Sequence, residues 1–170
     1  MYQFTEYQLI TNFYGDQKAK RSQVPLINHI QEGLRILEAI NAHEVARKAY
    51  CLHPILQSDE ALAQNFRTDL SGIDPQVIIA TIEYRSVANA YLSQRQIQRI
   101  EDIRLSPLPE VNDMLIADKV QNRKDFELYH QATHPRRNEL AQYFRNWLRR
   151  LGIDEAQYKH LVALISTVEN

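Results

Sequence analysis

The chain has 170 residues, of which 44% are hydrophobic and 24% charged, the composition of a globular protein rather than a disordered one. Lys plus Arg number 20 and Asp plus Glu 21, and the net charge of -1 lacks the global basic signature of a dedicated nucleic-acid binder. The one cysteine, Cys51, excludes an intrachain disulfide and a cysteine-rich zinc framework, and the four isolated glycines cannot build a dinucleotide or phosphate loop.

The opening MYQFTEYQLITNFYGD has no basic n-region and no unbroken apolar stretch, and no window approaches a membrane span. A cytoplasmic protein is expected. Periodicity predicts a first helix over residues 5 to 14, stopped by Gly15. A basic stretch with Lys18, Lys20 and Arg21 follows. Leu26, His29, Ile30, Gly33, Leu34, Leu37 and Ile40, spaced by threes and fours, form one face of a second helix. Helix continues from Glu44 to Leu52, where Pro54 disfavours it at His53. A short helix is expected after Ser58.

Asp74-Pro75 is an N-cap followed by a first-turn proline. The run VIIATIEYRSVANAYL behind it is apolar on nearly all sides and reads as the central buried helix. Ile97, Ile100 and Ile103 mark a shorter helix. Beyond Pro107 and Pro109 a long helix carries Val111, Met114, Leu115, Asp118 and either Gln121 or Asn122 on one face. Pro135 opens a helix with the stripe Leu140, Phe144, Trp147, Leu148 and Leu151, which Gly152 closes. Asp154 caps the last helix. No segment alternates with period two, so the fold is expected to be all-α, one domain over 1–170 with about seven or eight helices.

Two side chains stand out chemically. His29 lies inside an apolar stripe, and Asp118 puts a carboxylate on a helix face shared with Leu115. A buried carboxylate costs several kcal/mol unless it is paired or binds a metal. An ion pair with a buried Lys or Arg is the plainer alternative for Asp118, and a hydrogen-bonded core histidine for His29. His130 and His134 have metal spacing, but Pro135 follows at once and no third ligand is evident. The arginines at 136, 137, 145, 149 and 150 fit the solvated side of an amphipathic helix better than an RNA surface.

The order of these residues resembles the HD-domain superfamily of metal-dependent phosphohydrolases, and within it the alarmone (ppGpp) hydrolase type. Lys20-Arg21-Ser22-Gln23-Val24-Pro25-Leu26-Ile27-Asn28-His29 is similar to that family's R-x-x-x-x-P-Y-I-x-H segment, and Cys51-Leu52-His53 to its L-L-H-D segment. Ile116-Ala117-Asp118-Lys119-Val120-Gln121-Asn122 is similar to its L-A-D-K-x-x-N helix. The likeness covers about residues 20 to 122. It implies a divalent transition metal (Mn, Fe, Zn or Co) on His29, His53 and Asp118. Pro54 stands where the family has a fourth, aspartate ligand, and the family's Glu-Asp pair falls on Gln57 and Ser58. Asp59 or Glu60, one step further along, would then be the general base. A nucleotide or other phosphorylated small molecule is the expected partner, bound by Lys18, Lys20, Arg21, Lys119 and Asn122. Glu83 either faces the site and supports a ligand histidine or emerges at the surface. Two functions stay open at this point. One is hydrolysis of a nucleotide phosphate ester or anhydride. The other is a catalytically degenerate module that binds a nucleotide or a partner.

Overall fold

Local capping chemistry sets several of the observed helix starts. In the computed structural model, which describes residues 2–20, 22–65, 70–91 and 99–166, eight α-helices form among the described residues. They are α1 (Thr5–Tyr14), α2 (Ile27–Ala39), α3 (Glu44–Leu56), α4 (Asp59–Asn65), α5 (Pro75–Ala90), α6 (Pro109–Asp125), α7 (Arg137–Arg150) and α8 (Glu155–Ser166). Asp74 caps α5 by accepting the Gln76 N–H at 2.8 Å, with Pro75 in the first turn. Asp154 accepts from the Gln157 N–H at 2.8 Å while the Gln157 side chain accepts from the Asp154 N–H at 2.9 Å, a reciprocal cap for α8. Ser58 accepts from the Ala61 N–H ahead of α4. Gly152 ends α7 with φ +80°, a left-handed conformation that glycine adopts without strain.

Two helices organise the packing. The α3 helix lies against α1, α2, α4, α5 and α6, and α6 against α2, α3, α5, α7 and α8. Their buried side chains, among them Tyr50, Leu52, Met114, Leu115 and Val120, join Ile30 and Leu34 of α2 and Trp147 of α7 in one core. No strand forms among the described residues, and no helix among them is long and apolar enough to cross a membrane.

Three local expectations need correction. The α5 helix is not buried on all sides, because Ile79 and Ile82 are exposed and only one face meets α3 and α6. The α3 helix does not stop before Pro54 but runs through it to Leu56. Ile97 lies outside the described residues, and Ile100–Asp102 is a single 3₁₀ turn.

Candidate metal centre

Three helices bring the site together. His29 sits in the first turn of α2, His53 near the end of α3, and Asp118 in the middle of α6. One ligand-type atom from each lies within 4.8 Å of the others, and no other such group of His, Cys, Asp and Glu occurs among the described residues. His29 Nε2 is 3.2 Å from His53 Nε2 and 3.7 Å from Asp118 Oδ1. His53 and Asp118 are buried, whereas the His29 side chain keeps 21% of its surface exposed.

The rings are held by their neighbours. His53 Nδ1 lies 2.6 Å from the Tyr50 carbonyl, and His29 Nδ1 lies 2.7 Å from Gln121 Oε1. Both partners are acceptors, so both Nδ1 atoms donate, and in the neutral form of each ring Nε2 carries the lone pair. The Tyr50 hydroxyl donates to His29 Nε2 at 3.2 Å. The Tyr50 ring packs on both imidazoles, and Tyr84 packs on His53 with ring centroids 5.0 Å apart.

Asp118 is doubly braced. Lys119 Nζ donates to Oδ2 at 2.9 Å and Asn122 Nδ2 to Oδ1 at 2.7 Å. Lys119 is itself buried, with its ammonium 5.2 Å from the centroid of Trp147 and 5.7 Å from that of Tyr143. Burial works to raise the Asp118 pKa, but Lys119 and the two histidines outweigh it and hold the carboxyl at about 2. Burial, and then the neighbouring His29, push His53 down to about 3. Near neutral pH the centre therefore pairs a neutral, lone-pair-bearing His53 with an ionised carboxylate.

This donor set fits a divalent transition metal. Two nitrogens each ~2.0–2.1 Å from one tetrahedral ion stand about 3.3 Å apart, close to the 3.2 Å between the two Nε2 atoms. Two histidines and a carboxylate also match the protein ligand count of catalytic metal sites.

The remaining candidate residues fall in different places. Lys18 and Lys20 are exposed between α1 and α2, and Arg21 lies outside the described residues. Lys119 and Asn122 are occupied in holding Asp118. Asp59 pairs with Arg85, Glu60 is exposed on α4, and neither joins the group of three. Glu83 accepts from Ser106 Oγ at 3.1 Å and Arg104 at 3.3 Å, so its bonds run to the segment before α6 and not to a ligand histidine. His134 Nδ1 accepts the Arg136 N–H, and His130 and His134 form no metal group. Arg137, Arg145 and Arg149 are exposed on α7, and Arg150 donates to the Ile103 carbonyl.

Sequence reasoning missed Tyr50 and the full part of Gln121. Tyr50 had a local signal, since it precedes His53 by three residues on one helix; Gln121 had a weaker one, its place one turn after Asp118, because its bond to His29 crosses between helices. A cleft of about 780 Å³ is walled by Gln121, Glu32, Lys124 and Asp125 but not by the three candidate ligands. A second, of about 550 Å³, is lined by Pro54, Gln57, Ser58, Asp59 and Asn89. In comparisons with known proteins, no family model, curated protein or solved structure matches the chain at a significant level.

Proposed function

We propose that the chain is a metal-dependent phosphohydrolase of the HD-domain type, acting on a nucleotide phosphate ester or anhydride. The observation that carries this reading is the meeting of two histidine Nε2 atoms, 3.2 Å apart, beside the buried Asp118 carboxylate. A cation bound between the two Nε2 atoms would take the place that the Tyr50 hydroxyl holds at His29 Nε2 and would satisfy both nitrogens and the carboxylate at once. A bound Mn, Fe, Zn or Co ion would polarise a phosphoryl oxygen and acidify a water molecule.

The chain's own residues divide the remaining work. Lys119 and Asn122 keep Asp118 ionised and oriented. Lys18, Lys20 and Arg21 are the cations left to meet a phosphorylated substrate, since Lys119 is committed to Asp118. Asp59 or Glu60 is the base in this reading, and Asp59 must leave Arg85 to act. The single, buried free thiol of Cys51 supports a reducing, cytoplasmic setting.

Two observations favour a second reading, a non-catalytic nucleotide-binding or partner-binding module. Asp59 is tied to Arg85, and Pro54 offers no donor atom where a fourth ligand would stand. Untagged protein stripped with chelator, reloaded with Mn²⁺ or Zn²⁺ and offered nucleoside mono-, di- and triphosphates and ppGpp, separates the two. Turnover that Asp118→Asn abolishes supports the enzyme. Nucleotide binding without turnover across the panel supports the module.

A further inference from the structure

Helical arithmetic gives Pro54 a role that its missing donor atom hides. In an α-helix the carbonyl of residue 50 accepts the N–H of residue 54. Proline has no N–H, so inside α3 the Tyr50 carbonyl loses its regular partner. His53 Nδ1 takes that place at 2.6 Å. The ring proton is thereby fixed on Nδ1, and Nε2 is left bare.

On α2 the same result is reached by a different route. His29 Nδ1 faces Gln121 Oε1 at 2.7 Å. The amide group of Gln121 has one orientation available. Its nitrogen lies 3.1 Å from Glu32 Oε2 and 2.7 Å from Asp125 Oδ2, and two carboxylates at one end require the NH₂ there. Lys124 holds both carboxylates in turn, 2.6 Å from Glu32 and 3.1 Å from Asp125. The oxygen of Gln121 must therefore point at His29.

We propose that Pro54 and Gln121 are positioning residues that lock His53 and His29 in the Nδ1–H tautomer, leaving the two Nε2 atoms, 3.2 Å apart beside Asp118, without a proton. A histidine side chain free in water favours the proton on Nε2, so the fold imposes the other tautomer twice. From the position where the resembled family has a ligand, the proline thus frees the Tyr50 carbonyl to accept from His53. The inference deepens the cation-site reading and rests on it for the use to which the lone pairs are put.

Long-range ¹H–¹⁵N spectra of metal-free, untagged protein near neutral pH read the tautomers directly. Wild type should show both rings as Nδ1–H. Pro54→Ala restores the N–H to residue 54 and should move His53 alone toward Nε2–H. Gln121→Met removes the acceptor and should move His29 alone, whereas Gln121→Glu keeps an acceptor and should leave His29 as it is. Zn²⁺ affinity by calorimetry should fall about 10–100-fold in Pro54→Ala and Gln121→Met, the usual effect of losing an outer-sphere partner. An Nε2–H signal from His29 or His53 in wild type overturns the proposal without any variant having to fold. So do unchanged tautomers in both Pro54→Ala and Gln121→Met. Locked tautomers in a wild-type protein that binds neither Zn²⁺ nor Mn²⁺ would uphold the locks and remove the cation site.

Discussion

Lys119 and Asp118 neutralise each other in the core, and each charge would be costly alone. Removing one partner of a buried pair typically costs about 3–5 kcal/mol, so Lys119→Met should lower stability in urea by that order. A divalent cation supplies the positive charge that this variant lacks. Saturating Mn²⁺ or Zn²⁺ should therefore stabilise Lys119→Met more than wild type, and equal gains would separate Lys119 from the site's electrostatics. Titration gives a second test. The unfolded chain protonates His53 near its ordinary 6.5, whereas the folded protein resists until about 3. The unfolded state then binds more protons across that window, and stability falls as pH drops from about 6.5 toward 3. Asp118, held at about 2 against an ordinary 3.8, adds to the loss between those values. The urea midpoint of metal-free protein should be lower at about pH 4.5 than at about pH 7, and the slope should flatten in His53→Leu. At this scale His29 and Asp118 were legible because polar side chains interrupt apolar helical stripes. The burial of Lys119 was not, since one residue's step along a helix gives no sign that a lysine stem will fold back over Trp147.

At the scale of elements, α2 and α3 meet at a glycine. A Cβ on Gly33 would clash with the hydroxyl-bearing edge of the Tyr50 ring, the ring that packs on both His29 and His53. Gly33→Ala should destabilise the protein by about 1–3 kcal/mol through overpacking, and should weaken metal binding by displacing Tyr50. Thermal melts and calorimetry on the same samples check both. Unchanged values would mean that α2 and α3 can shift apart without cost. The start of α5 was readable from Asp74-Pro75 and the end of α7 from Gly152, because caps act within one turn. The passage of α3 through Pro54 was not readable from proline's preferences. What permits it is a side chain, His53, which bonds the carbonyl that the proline leaves free. The exposed face of α5 was hidden for another reason: Ile79 and Ile82 look like core residues until the partner helices are known to cover only one side.

For the whole molecule, the all-α architecture follows from a sequence with three- and four-residue periodicity throughout and no two-residue alternation. The central place of α3 and α6 does not, because it depends on tertiary contacts that no single helix encodes. Three ligands from three helices also mean that a bound ion would tie α2, α3 and α6 together and stabilise only the folded state. At about a hundred times its Kd such an ion adds ~2.7 kcal/mol. For a chain of this size the melting temperature should then rise by roughly 5–11 °C. All of this depends on His29, His53 and Asp118 acting as one divalent-cation site. Its most direct test is calorimetric titration of Zn²⁺ into chelator-stripped, untagged protein near neutral pH, with Asp118→Asn and His53→Leu in parallel. Wild type should bind one ion per chain, with affinity severely reduced in both variants. No binding in wild type, or binding that survives both substitutions unchanged, would contradict it.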